Sequence, residues 1–260
     1  LNAKYGLDKP LGEQYLTYLK DIVTEFDFGP SLKQRGRQVI DVIMDGMKTS
    51  LVLGLIAAGI ALVSGVVLGA VAALRRNKII DKIIMVITTA FVSMPSFIMG
   101  TLLLLVFALE LAVVPANGET AQGLILPVIT LSLSPMANIT RLTRSSMLDV
   151  LGQDYIRTAK AKGVSGVKII FGHALKNAML PVLTSIGMGF GASLGGAVVI
   201  ETVFGVPGLG MLIVDAIRQK DSPTVMAATL FLATLFCIIM LIVDVLYAYV
   251  DPRIKAKYKE

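Results

Sequence analysis

One segment of this 260-residue chain could do chemistry with a partner in water: Asp154, Tyr155, Ile156, Arg157, Thr158, Ala159, Lys160, Ala161, Lys162 and Gly163. It lies between two long uncharged stretches. Its residues favour a helix, its charge is mostly basic, and the closing Gly suits a left-handed cap. A chain embedded in lipid has no packing reason to keep a helix of about ten residues in water there unless something soluble docks on it. The chemistry offered is recognition. The segment reads as a handle by which a soluble partner moves the membrane part.

Catalytic chemistry has no comparable footing. His173 is the only His and Cys237 the only Cys, and neither has a second ligand or base beside it. No Ser stands in G-x-S-x-G, and no G-x-x-x-x-G-K-[ST] phosphate loop occurs. The glycines from Gly187 to Gly196 lie mid-span, with Gly187, Gly191 and Gly195 at the four-residue spacing of close helix packing. Gly65 and Gly69 repeat that spacing. The chain reads as a non-enzyme with no metal and no cofactor of its own.

The elements that position the segment follow from composition. Hydrophobic residues make up 55% and charged residues 16%, against about 45–50% and about 25% in soluble domains. The formal charge of +6 clusters between apolar stretches and at the C-terminus. That placement follows the positive-inside rule and excludes a nucleic-acid stripe.

Five uncharged stretches are long enough to cross a bilayer: Thr49–Leu74, Ile83–Leu109, Ala121–Thr140, Asn177–Ile200 and Ser222–Val243, the last continuing to Val250 with Asp244 embedded. Backbone groups in lipid must bond internally, so these are helices. Pro95, Pro127, Pro135 and Pro181 are expected to kink them. The connections Arg75–Lys82 and Arg141–Lys176 and the tail are basic, whereas Ala112–Thr120 has no cation. This alternation puts the basic regions in the cytoplasm and Leu1–Lys48 outside, and an outside segment calls for a further hydrophobic segment upstream. The expected divisions are an extracytoplasmic segment (1–45), a transmembrane domain (46–250) with its cytoplasmic loop (141–176), and a cytoplasmic tail (251–260).

Ala159, Gly163 and Leu175 resemble the E-A-A-x-x-x-G loop of ATP-binding-cassette importer permeases, with Arg157-Thr158-Ala159 in place of Glu-Ala-Ala and Lys176 in place of a Pro. Further strings are similar to the first membrane subunit of the dipeptide/oligopeptide (peptide/nickel) permease family. They are Tyr5–Pro10, Asp27–Ser31, His173–Ala178 with Leu180-Pro181, Glu201–Gly210, and Asp244–Tyr247 followed by Asp251-Pro252-Arg253.

The resemblance implies an all-α integral membrane fold, the type I importer transmembrane domain, with five of the family's six helices in this chain. It implies a bacterial plasma-membrane subunit forming half of a translocation path. The implied partners are a second homologous permease subunit, two cytoplasmic ATPases that bind the ATP and magnesium, and an extracytoplasmic solute-binding protein. Peptide is the default solute, with nickel or oligosaccharide as alternatives. The segment with Asp154, Tyr155, Arg157, Thr158, Ala159, Lys160, Lys162 and Gly163 would couple to an ATPase as a helix over about Leu151–Lys162. Arg157, Lys160 and Lys162 would lie on a polar face that sets register, with Tyr155, Ile156 and Ala159 filling a groove on the ATPase. Glu201, Phe204, Gly205, Pro207 and Gly208 would belong to an external gate and receptor-docking surface, a reading that crosslinking of Val206 or Leu209 to the receptor would decide. The other reading of Glu201–Gly210 is a re-entrant turn holding helix ends together. An ion-gradient transporter would need ionisable groups in several spans, and Asp244 is the one well inside.

Overall fold

Uncharged runs of twenty or more residues close their backbone hydrogen bonds within themselves when water is absent, and only helices do so segment by segment. The computed structural model describes residues 9–34 and 36–250, and its regular elements there are helices apart from one bridge between Pro30 and Gln38. Leu1–Asp8, the tail from Asp251, and the side chains of Asp244 and of residues 186–196 lie outside the described residues, and with them the readings placed there.

The order is α1 (Leu11–Glu25), α2 (Val39–Leu74), α3 (Ile79–Ser93) and α4 (Ser96–Leu103), which runs into a π-helical stretch (Leu104–Glu110). Then come α5 (Ile125–Leu151), α6 (Asp154–Ala161) and α7 (Gly166–Lys168), followed by a second π-helical stretch (Ile169–Leu175). The last three are α8 (Lys176–Phe204), α9 (Leu209–Gln219) and α10 (Ser222–Val250).

Three helices are by themselves long and apolar enough to cross a membrane: α2, α5, and α10 over Ser222–Val243. Two bent pairs bring the candidates to five, Ile79–Ser93 with Ser96–Glu110 and Ala197–Phe204 with Leu209–Gln219. At 29 residues α8 is about 43 Å long, more than the ~30 Å hydrocarbon core.

Three expectations about boundaries change. The stretch Ile83–Leu109 is broken sharply where a gentle kink was expected, because the chain turns by 106° at Met94-Pro95. Met94, forced away from helical angles by the following proline, is extended (φ −88°, ψ 129°), and Pro95 has no N–H to continue the ladder. Pro135 and Pro181, by contrast, sit inside continuous helices. Secondly, α5 does not stop at Thr140 but carries Arg141 and Arg144 onward to Leu151. Thirdly, α2 begins at Val39, ten residues before the uncharged stretch.

The bundle is organised around α2 and α5. A Cβ on Gly65 would lie 2.7 Å from Ile139 Cγ2, and one on Gly69 would lie 2.6 Å from Thr143 Cβ. These glycines let the backbones approach, as their spacing suggested. Higher numbers on α2 meet higher numbers on α5, so the two run parallel. Their ends meet the start of α8 in a buried cluster of Ala73, Met147, Ala174 and Ala178. At the other end Phe28, Val39, Ile43, Leu209, Ala227 and Ala228 form a second cluster. The loops therefore sort to two ends: turn 75–78 and segment 152–175 at one, residues 28–38 and turn 205–208 at the other. Between them Val52, Leu55, Ile56, Ile60, Val63 and Val67 of α2 are exposed, an apolar flank suited to lipid or a companion subunit.

Candidate functional site

At the basic end, α6 is a two-turn helix set off from α5 by Gly152-Gln153. The expected helix over 151–162 is thus shorter, because Leu151 completes α5. Asp154 in its first turn and Lys160 in its last complement the helix dipole. Gly163 has φ +77°, its N–H donates to the Lys160 carbonyl at 3.0 Å, and the Val164 N–H donates to the Ala159 carbonyl at 3.1 Å. That pair of bonds is a Schellman cap, which requires a residue at ease in the left-handed region. A Cβ on Gly163 would meet nothing within 4 Å, so the requirement there is conformational and not steric.

Two contacts seat α6 on the bundle. Ile156 is 0% exposed, so it anchors the helix inward and is not free to fill a partner's groove, as the sequence had suggested. Asn177 Nδ2, at the start of α8, donates to the Tyr155 hydroxyl at 3.1 Å and to the His173 carbonyl at 2.9 Å. Asp154, Arg157, Thr158, Lys160, Lys162 and Gly163 are left exposed, with Ala159 half-buried between them. The Arg157–Asp154 ion pair at 3.6 Å is fully solvated and contributes little to stability. The result is a short, capped helix with a basic outer face, held to the bundle through Ile156 and Asn177.

Below it, Asp81 on α3 is gripped by Arg144 on α5. Nε donates to Oδ1 at 2.6 Å and Nη2 to Oδ2 at 2.8 Å, while the Asn77 N–H donates to Oδ2 at 2.9 Å. This bidentate pair was not foreseen, because the two residues are 63 positions apart and each reads as an ordinary loop charge.

At the far end Glu201 is 0% exposed and turns its carboxylate onto the first turn of α9. Gly210 N–H donates to Oε2 at 2.7 Å and Met211 N–H at 3.2 Å, while Ser50 Oγ on α2 donates to Oε1 at 2.5 Å. Ser50 Oγ in turn accepts the Leu209 N–H at 2.8 Å. A carboxylate at a helix N-terminus satisfies donors that have no partner inside the helix. Glycines make the space: a Cβ on Gly208 would run into the Glu201 carboxyl, one on Gly210 into Val198, and one on Gly46 would lie 3.1 Å from Gly208 C.

Gly205 (φ +61°) ends α8 and lets the Val206 N–H donate to the Glu201 carbonyl at 2.9 Å. Phe204 is buried beside Gly100 of α4, and its carbonyl accepts the Gly118 N–H at 2.8 Å. Val206 and Leu209 are buried as well, and Pro207 is the exposed residue of the turn. These contacts tie the end of α8 to the start of α9 and to α2. Ser50 and Gly46 went unnoticed in the sequence, since a small residue within an apolar run carries no signal of its partner.

Comparison with known proteins bears on both ends. A family model described as binding-protein-dependent transport system inner membrane component matches residues 65–256. The chain is similar to the dipeptide transport system permease protein DppB of Bacillus subtilis, 47% identical over 260 residues, covering 100% of this chain and 84% of that protein. It is 43% identical to the oligopeptide transport system permease protein OppB of Haemophilus influenzae over 258 residues, covering 98% of this chain and 84% of that one. It is 42% identical to the glutathione transport system permease protein GsiC of Escherichia coli strain K12, covering 99% and 84%. Among solved structures, the inward-facing MetNI methionine ABC transporter matches with a TM-score of 0.68 at 16% identity, covering 82% of this chain and 97% of that one, a likeness of fold.

Proposed function

This chain belongs to the family of binding-protein-dependent transport system inner membrane components, and on that premise we propose that it is a permease subunit of an ATP-driven peptide importer, coupled to its ATPases through α6. It is a transport subunit with membrane-spanning helices and no enzymatic role of its own. Peptide is the solute favoured over nickel or oligosaccharide, since the relatives compared are named for dipeptides, oligopeptides and glutathione. A second homologous permease would complete the path, two cytoplasmic ATPases would hold ATP and magnesium, and an extracytoplasmic binding protein would deliver the solute.

The observation that carries the coupling role is the build of α6. A capped helix with a basic outer face is seated through Ile156 and Asn177 and leaves its cations exposed to a partner's grip. Closure of the ATPases on ATP would displace α6, and with it the ends of α5 and α8. The α6 end faces the cytoplasm in this reading, because its turn and loop carry eleven Lys/Arg against Asp81, Asp149 and Asp154. The opposite end, with residues 9–34 and the Glu201 turn, faces outward. There Glu201, Phe204, Gly205 and Gly208 shape an external gate from within, and Pro207 offers the contact point for the binding protein.

The test is ATPase stimulation in the complete reconstituted complex with its binding protein, challenged with short peptides, nickel and oligosaccharides in turn. Stimulation by peptides alone supports the reading. Stimulation by sugar or nickel alone keeps the machinery and overturns the solute.

A further inference from the structure

The link between α2 and α3 gathers Arg75, Arg76, Lys78 and Lys82, all exposed and none ion-paired among the described residues. The acid that shares this stretch is withheld from them. Asp81 is 3% exposed, and its carboxylate is taken up by the Arg144 guanidinium and the Asn77 N–H. Arg144 thus holds both carboxylate oxygens, so Asp81 acts on Arg76 only through space and none of the four cations forms an ion pair with it.

The turn itself is tight. Asn77 is left-handed (φ +64°), and the Lys78 N–H donates to the Arg75 carbonyl at 2.9 Å. Immediately after it come Ile79, Ile80 and Ile83, exposed by 74%, 44% and 51%. Cations in one tight turn beside uncovered isoleucines match the boundary between headgroups and acyl chains, where basic stems lie along hydrocarbon and their heads reach phosphate.

We propose that this turn binds the phosphate of an anionic phospholipid, with Arg75, Arg76 and Lys78 on the headgroup and Ile79 and Ile80 against the upper acyl chain. The planar guanidinium fork matches phosphate oxygens two at a time, and the lysine adds a point charge. The inference rests on the chain spanning a bilayer and not on which solute it carries.

The experiment places the complete importer in phosphatidylcholine nanodiscs holding a minor fraction of phosphatidylglycerol and counts retained lipids by native mass spectrometry. The wild-type complex is expected to enrich phosphatidylglycerol over its bulk fraction, and Arg75→Gln/Arg76→Gln/Lys78→Gln to lower that enrichment on the order of tenfold. Arg75→Lys/Arg76→Lys, which keeps the charge, retains most of it, and millimolar glycerol phosphate does not displace the lipid. Should the triple variant fail to insert or fold, Arg76→Gln alone is measured, with an intermediate loss expected. Unchanged enrichment in the Gln variants overturns the proposal. So does displacement by soluble phosphate, which would mark a free-anion site, and so does release of the ATPase subunits by the triple variant, which would mark a protein contact.

Discussion

Ser31 and Asp221 are 190 residues apart, and the Ser31 hydroxyl donates to Asp221 Oδ2. The Leu32 N–H and the Thr224 hydroxyl donate to the same carboxylate, while the Lys33 and Gln34 N–H groups donate to Ser31 Oγ. One side chain thereby docks the segment before α2 onto the start of α10, next to buried Phe28.

Burial works against the charge on Asp221, but the hydrogen bonds from Ser31, Thr224 and Leu32 outweigh it and hold the carboxyl below its ordinary value. A depressed folded pKa stabilises at pH above the unfolded value of about 3.9, and the contribution is lost as pH falls through the folded value. The segment 9–34 should therefore stay docked at neutral pH and become open to cleavage only in acid, with subtilisin as the probe at neutral pH and pepsin in acid. Asp221→Ala should release it at all pH values, at a cost of about 1–3 kcal/mol for the donors left unpaired. Equal cleavage of wild type and variant across the titration would contradict this.

Gly163→Asp puts a side chain on a residue at φ +77°, at a cost of roughly 1–2 kcal/mol to the cap of α6. Insertion and yield should stay near wild type because the position is open to solvent. ATP-driven uptake in proteoliposomes is expected to fall at least about tenfold, since a frayed helix end transmits force poorly. Wild-type uptake by this variant would remove the coupling role from α6.

Ala159→Arg and Ile156→Ala separate docking from seating. The first adds bulk and charge to the half-buried outer face and should release the ATPases with the fold intact. The second empties a fully buried site and should lower stability by about 2–5 kcal/mol. Co-purification of ATPase subunits together with thermal unfolding distinguishes the two, and identical behaviour would show that α6 has no distinct docking face.

Glu201→Gln exchanges an acceptor for a donor opposite the N–H groups of Gly210 and Met211 or the Ser50 hydroxyl. The expected loss is about 1–3 kcal/mol. In a double-mutant cycle with Ser50→Ala the two losses should not add, because the groups share one network. Gly208→Ala should be worse than either, as its Cβ runs into the Glu201 carboxyl. Additive losses in the unfolding temperature of the solubilised complex would show that the network does not act as a unit.

The apolar runs, the alternation of charged ends and the short basic helix closed by Gly163 were legible in the sequence by itself. Each rests on local physics: solvation of a continuous run, charge counted along the chain, and the backbone freedom of one residue. The close approach at Gly65 and Gly69 was legible for the same reason, because four-residue spacing puts both on one helix face. Tertiary structure alone decided what those elements hold in common. The bend at Pro95, the inward turn of Ile156, the grip of Arg144 on Asp81, and the meeting of Ser50, Glu201 and Gly210 all depend on neighbours distant in the chain. A buried carboxylate and a solvated one are the same letter in a sequence. Only the packing around it determines whether that charge is exposed to a partner or ties helices together.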